Sequence, residues 1–253
     1  MDNFGQTFMR LLLSLAALFA GAACEGDNEI QSGVHVPSIR DPRLQKEISG
    51  RIVFQSDRSG NWDIYSMNAD GSDLVQLTRE GASDEYPVWS PNGNHIAFKS
   101  NRSGRFHIYI MKADGKNQQQ ITFGSRDDED PGWSPDGSRI AFQSKRTGKA
   151  QIFIMNSDGS DLHQLIDTIG KNGHPDWSPD GHMIAFTGNR YLGWNVFRMD
   201  ADGRNDIRLT SGHGACRPDW SPNGKQIAYV SQKADGKGDI WIMDADGSHP
   251  FRL

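Results

Sequence analysis

One spacing constrains this chain more than any other property. From Gly50 onward it repeats itself every 44 residues, with a single step of 43. The isoleucine that opens one apolar segment falls at Ile52, Ile96, Ile140, Ile184 and Ile227. The aromatic of a second segment falls at Tyr65, Tyr109, Phe153, Phe197 and Trp241. An Asp-Gly pair follows at Asp70-Gly71, Asp114-Gly115, Asp158-Gly159, Asp202-Gly203 and Asp246-Gly247. The unit closes at Leu77-Thr78, Ile121-Thr122, Leu165, Leu209-Thr210 and Leu253. Register held through five copies means a repeat architecture, in which each copy offers its neighbours the same surfaces.

The third copy shows what one unit is. Pro131–Trp133 reads as a short inner strand, and Ser134-Pro135-Asp136-Gly137 has type I turn chemistry, with Pro second and Gly fourth. Arg139–Ser144 alternates apolar with small or polar residues, a strand signature. A polar connection, Lys145–Lys149, leads to a second apolar-rich strand at Gln151–Asn156. Ser157-Asp158-Gly159-Ser160 is a hairpin turn, and Leu162–Leu165 a short outer strand. Pro and Gly at these places exclude a helical repeat. A four-stranded sheet this small cannot bury both faces alone. Stacking copies into a ring buries them, and about 40–45 residues per unit is the usual period of a β-propeller blade. The expected fold is therefore all-β: a propeller of five four-stranded repeats, either five-bladed or a six-bladed ring cut short. The first unit lacks the Trp-Ser-Pro-Asp-Gly element, and Leu44–Ile48 is the candidate source of its inner strand. Trp89, Trp133, Trp177 and Trp220 are expected to pack between blades. Burying a Trp removes about 150–250 Å² from water, an upper estimate of about 4–6 kcal/mol each.

Residues 1–24 have a different composition. Arg10, the apolar run Leu11–Ala20 and the small residues Gly21-Ala22-Ala23 are the parts of a secretory signal peptide. The run is shorter than the roughly 20 apolar residues a membrane span needs. Gly21-Ala22-Ala23-Cys24 also resembles the bacterial lipobox, which implies lipidation of Cys24. Gly21 departs from that pattern, and the other reading is simple cleavage near Ala22 or Ala23. Both export the protein. Residues 25–48 are polar and carry Pro37 and Pro42, as a linker or tether does. Residues 49–253 make up the propeller. Lys plus Arg is 27 against 32 for Asp plus Glu, a net charge of −5 without a basic run, which argues against nucleic acid as a partner. Two cysteines make neither a disulfide framework nor a CxxC zinc site.

The succession Trp-Ser-Pro-Asp-Gly, Ile-Ala-Phe, Ile-Tyr/Phe-x-Met-Asn/Asp-x-Asp-Gly and Leu-Thr resembles the WD-repeat-like unit of the TolB family, five times over residues 50–253. The resemblance implies a propeller that docks partner proteins or peptides on one face. The Tol-system member of that family carries an α/β domain before a six-bladed propeller; residues 25–48 cannot supply that domain, and five units are present here.

Chemistry is to be sought where the copies differ. The residues just ahead of the repeated Pro are Glu85-Tyr86, Glu129-Asp130, Gly173-His174 and Cys216-Arg217. They precede the innermost strand and should rim the central funnel. Glu85, Tyr86, Glu129, Asp130, His174 and Arg217 are thus the candidate binding residues for a small polar ligand or a peptide end. A solvated channel lining is the plainer reading of the same residues. Asp200-Ala201-Asp202-Gly203 and Asp244-Ala245-Asp246-Gly247 look like pieces of a calcium loop but lack its later ligands, so no metal or cofactor is expected. The basic residues Arg58, Arg102, Arg146, Arg190 and Lys233 recur once per unit and read as a structural bond to a neighbouring turn. No Gly-x-Ser-x-Gly, His-Glu-x-x-His or phosphate loop occurs.

The function expected is a non-catalytic, monomeric scaffold of the bacterial envelope, periplasmic or anchored through a lipidated Cys24, that binds an envelope protein or peptide. Two alternatives stand beside it. One is a ligand-binding or enzymatic propeller using the funnel. The other is the propeller fragment of a larger serine peptidase, which requires a Gly-x-Ser-x-Gly region beyond Leu253.

Overall fold

The computed structural model describes residues 50–191, 193–212, 214–232 and 238–253. The leader 1–24 with Cys24, the linker 25–48 with its strand Leu44–Ile48, and Lys233 lie outside the described residues. The described chain is all strand and turn. Five antiparallel sheets follow one another as the blades of a five-bladed β-propeller. In the second to fifth blades four strands lie in chain order from the axis outward. The first has three strands among the described residues, Arg51–Ser56, Asp63–Asn68 and Val75–Gln76.

The third blade stands for the others. Its inner strand is Asp128–Trp133, its second Arg139–Ser144, its third Gln151–Asn156 and its outer His163–Gln164. The inner strand begins three residues before the position read from the sequence, because Asp128 and Glu129 still pair with Ser144 and Gln143 ahead of a bulge. The outer strand holds only two residues. The chain then leaves the ladder at Leu165, whose N–H still bonds Ile152 O at 3.0 Å.

The core lies between blades. Ile121 of the second blade meets Ile140, Phe142 and Met155 of the third; Ile152 and Ile166 of the third meet Ile184 and Phe197 of the fourth. Trp177 and Trp220 are buried in such seams, while Trp89 and Trp133 pack against theirs half-buried. The repeated Asp-Gly turn has two reasons to be Gly. At Gly159 φ is +86°, and a Cβ there would stand 2.6 Å from Ile121 O of the preceding blade. The repeated Thr is equally structural. Thr78, Thr122 and Thr210 accept through Oγ1 from the N–H of Ile64, Ile108 and Val196, each at 2.9 Å.

Candidate functional site

Each complete inner strand carries a one-residue bulge. In the second blade Glu85 pairs with Lys99 and Val88 with Ala97, so Tyr86 and Pro87 together stand opposite Phe98. The same slip falls between Glu129 and Gly132, Gly173 and Asp176, and Cys216 and Asp219. The first extra residue is Tyr86, Asp130, His174 or Arg217, with φ of +54°, +54°, +50° and +54°. The proline that follows disfavours the right-handed helical region for each. A left-handed conformation costs a non-glycine residue about 1–2 kcal/mol. Four dissimilar side chains stand where glycine would relieve that cost. Two of the N–H groups freed from the ladder are capped by the preceding blade: Tyr86 N donates to Gln55 Oε1 at 2.7 Å and Arg217 N to Thr187 Oγ1 at 2.8 Å.

The bulges deliver their side chains to one place. Arg217 Nη2 donates to the Tyr86 hydroxyl at 2.9 Å. His174 Nδ1 lies 3.0 Å from Asp130 Oδ2, and the rings of Tyr86 and His174 are 6.2 Å apart. Glu85 and Glu129 each place a carboxylate oxygen 3.5 Å from Lys99 Nζ. Glu129 also takes Gln143 Nε2 at 2.8 Å and Lys145 Nζ at 3.2 Å. All six residues singled out in the sequence therefore sit in one polar cluster. Lys99, its hub, is a residue the sequence reading missed. It is only 8% exposed, with its ammonium 4.7 Å from the Tyr86 ring centre and 4.3 Å from that of Phe106. The same rule would have found it, since the second-strand position paired with the residue just before the bulge is Lys99 in one copy, Gln143 in the next and Thr187 in the one after. Gln143 also explains Gly173, where any Cβ would collide with the Gln143 amide.

Charge is balanced within the cluster. Burial pushes the Asp130 carboxyl up, but His174, Lys99 and Arg217 outweigh it and hold the group below the usual carboxylate range. Burial raises Glu85 against the opposing pull of Lys99, and raises the Tyr86 phenol. Burial works against the Lys99 ammonium, yet Glu85, Asp130 and Glu129 more than restore it and keep it charged.

Two residues beyond each bulge the inner strands carry Val88, which packs in the seam with the third blade, Gly132, Asp176 and Asp219. A Cβ at Gly132 would stand 2.8 Å from Pro175 O, so neighbouring inner strands approach too closely there for a side chain. Asp176 Oδ2 accepts from Trp220 N at 2.7 Å. Burial in the throat, with the Asp219 carboxylate beside it, raises the Asp176 carboxyl well above its ordinary value. Asp176 and Asp219 were absorbed in the sequence into the Trp-Ser-Pro motif that follows them.

The remaining motifs are scaffold. Arg102 Nη2 bonds both oxygens of Asp84 at 2.9 Å, its Nε donates to Ser100 Oγ, and its guanidinium lies over Tyr109. Arg146 repeats this with Asp128, Ser144 and Phe153. For these two the bond is to the blade's own inner strand, whereas Arg190 pairs with Asp206 in the turn ahead of its outer strand. Asp202 and Asp246 spend Oδ1 on the N–H two residues on, at 3.0 and 2.9 Å, capping their own turns. Among the described residues no three His, Cys, Asp or Glu side chains are grouped to hold a metal ion, and no helix is long and apolar enough to cross a membrane.

Fold and site together define a β-propeller whose inner-strand bulges gather unlike polar side chains at one end of the funnel. The chain belongs to the TolB β-propeller domain family, whose model matches residues 48–131 and 127–253. It is 44% identical over 46 residues to the Protein TolB homolog of Chlorobaculum tepidum, a stretch covering 18% of this chain and 11% of that protein. It is 40% identical over 48 residues to the Tol-Pal system protein TolB of Geobacter sulfurreducens, covering 19% and 11%. The crystal structure of TolB from Acinetobacter baumannii superposes with a TM-score of 0.73 at 22% identity, covering 89% of this chain and 60% of that one. The matched stretch is thus a small part of each curated relative.

Proposed function

We propose that this protein is a non-catalytic scaffold of the bacterial cell envelope that binds a protein or peptide on the funnel-mouth face. The observation that carries the reading is the set of four strained, non-glycine bulge residues, Tyr86, Asp130, His174 and Arg217, held in mutual contact. Strand direction puts the blade-to-blade connections and the loops between second and third strands on that same face. These carry Phe123, Ile169 and Tyr191, with exposures of 68%, 86% and 56%. Large apolar side chains around a polar centre suit a docking surface better than a solvated channel lining. The leader read at residues 1–24 supports a location outside the cytoplasm, in the periplasm. Similarity to the Tol-Pal system protein TolB of Geobacter sulfurreducens supports an envelope role.

A second reading rests on His174. An imidazole held by a buried carboxylate is equipped to move a proton, and the funnel would then turn over a small polar substrate.

Affinity capture separates the two readings. The mature protein should retain a discrete envelope protein or peptide that a Tyr86→Ala/His174→Ala/Arg217→Ala variant releases, while an Ile207→Ala change on an outer strand keeps it. Equal retention by the triple variant would remove the mouth from the function.

A further inference from the structure

Charge is divided between the two ends of the propeller. Strand direction puts the Asp-Gly hairpins and the Ser-Pro turns on the end away from the mouth. There Asp70, Asp114, Asp158, Asp202 and Asp246 give every blade an exposed carboxylate. Asp136 and Asp180 add to them, while Lys116 and Arg204 are spent on Asp114 and Asp202. The connections and loops of the mouth end carry the opposite sign. Arg58, Arg79, Arg105, Arg126, Lys149 and Lys171 are exposed on them. The exposed carboxylates on those loops, among the described residues, are Glu80 and Asp167, and Asp167 pairs with Lys149 at 3.4 Å. A chain of net charge −5 thus turns a basic rim to one side.

The same rim holds the most exposed large apolar side chains among the described residues, Ile169, Phe123 and Tyr191. Blade packing does not ask for them. Other copies carry Arg79, Asp167 and Ser211 at the place of Phe123, and Gly81 and Ser125 at that of Ile169. Ser59, Ser103 and Thr147 stand at the place of Tyr191. Phe123 and Ile169 each precede a glycine of positive φ, +135° and +97°, in a blade-to-blade connection. Tyr191 leans on Phe197 with ring centres 6.1 Å apart. A cation lies within three residues of each: Arg126, Lys171 and Arg190.

We propose that this rim docks on an anionic lipid bilayer, with Phe123, Ile169 and Tyr191 entering the head-group boundary and the surrounding Lys and Arg side chains meeting lipid phosphates. Such binding grows with the apolar area buried and with the attraction of basic residues to anionic lipid. Aromatic and long cationic side chains both settle at that boundary, apolar body inward and polar end in water. The centre of a protein–protein interface is depleted of charge. Here a cation accompanies every apolar tip, and the tips come from three separate loops, an arrangement that a fluid surface accommodates without shape complementarity. The acidic far end is repelled by the same surface, which fixes the orientation. The polar cluster in the mouth is a different set of residues, so the assignment holds whether or not the mouth takes a peptide.

Vesicle co-sedimentation of the mature, non-lipidated protein tests it, with phosphatidylglycerol and phosphatidylcholine in equal parts against phosphatidylcholine alone. Partition onto the anionic vesicles should be at least ~10-fold stronger at low salt. It should fall as ionic strength passes about 0.15 M, where charges are screened within about 8 Å. Phe123→Ser/Ile169→Ser/Tyr191→Thr installs residues that other copies already carry; it should lower partition ~10-fold while the protein stays folded by circular dichroism. Arg126→Gln/Lys171→Gln should lower it several-fold on the anionic vesicles. Hydrogen exchange with vesicles present should slow at 122–126 and 167–171 and stay unchanged at 157–161. Equal binding to both vesicles, or undiminished binding by the apolar triple variant, overturns the proposal. Binding to poly-glutamate but not to vesicles overturns it in favour of an acidic protein partner. Capture of a partner by the mouth is a separate measurement, so the two readings can fail separately.

Discussion

The Arg217 guanidinium donates to the Tyr86 hydroxyl at 2.9 Å, joining the second blade to the fifth across 131 residues of sequence. Neither residue belongs to a repeated motif; each is what its copy has in place of the others' bulge residue. The contact couples two blades that share no seam, so it should be measurable as an interaction. In a urea-denaturation cycle of Tyr86→Phe, Arg217→Ala and the double variant, the coupling should be about 0.5–1.5 kcal/mol, the net worth of one such hydrogen bond. Strict additivity would mean the two side chains act separately.

Seam packing makes the tryptophans unequal. Trp177 is 5% exposed among Ile152, Ile184 and Phe197. Trp177→Ala should destabilise by about 3–5 kcal/mol. Trp133→Ala, at a half-buried position, should cost less. Thermal melts of the two variants side by side check the order, and a reversal would contradict the seam assignment.

The Asp-Gly turns offer an internal control. Gly159 and Gly71 share φ of +86°, but a Cβ at Gly159 meets Ile121 O at 2.6 Å whereas nothing lies within 4 Å of one at Gly71. Gly71→Ala should lose only the left-handed strain, about 1 kcal/mol. Gly159→Ala should lose clearly more, because the blade must shift off its neighbour. Equal losses by denaturant titration would show that blades do not seat on these turns.

Acid stability should depend on Asp130. Its folded carboxyl lies below the ordinary value, so the stability it contributes is complete above the unfolded pKa of about 3.9 and is lost as pH falls further. Asp130→Asn should therefore flatten the acid limb of a Tm-against-pH curve below about pH 4. An unchanged limb would show that His174, Lys99 and Arg217 do not stabilise the anion.

Asp176 should act in the opposite sense. Its carboxyl is raised in the folded state, so the fold takes up a proton and loses stability as pH rises above the unfolded pKa of about 3.9. Asp176→Asn keeps an acceptor for Trp220 N and removes the repulsion from Asp219, so it should raise Tm at pH 7 by more than it does at pH 4. A Tm lowered at pH 7 would mean the throat requires the anion.

How much of this was legible in advance follows from what repetition can encode. The period, the turns and the alternation of apolar residues are local, and they recur because every blade solves the same packing problem. They were enough to predict the propeller, its blade boundaries and the inter-blade tryptophans. The mouth was legible only as a set of positions where the copies disagree, Glu85-Tyr86, Glu129-Asp130, His174 and Arg217. Lys99 was hidden because a lysine in a strand reads as a solvent-facing residue until two rings and two carboxylates close around it. Asp176 and Asp219 were hidden because each is followed by the repeated Trp-Ser-Pro.

By itself the sequence determined the blade: strand, turn, strand and hairpin, with glycine where φ is positive and proline where the ladder breaks, since those preferences belong to the residues themselves. The tertiary structure alone decided which unlike residues meet. His174 lies beside Asp130, 44 residues away, and Arg217 beside Tyr86, 131 residues away, because winding the blades about one axis turns equivalent positions of the repeat into neighbours around the funnel. Local propensity contains no information about that ring, since contact between blades arises only when the repeats close around it.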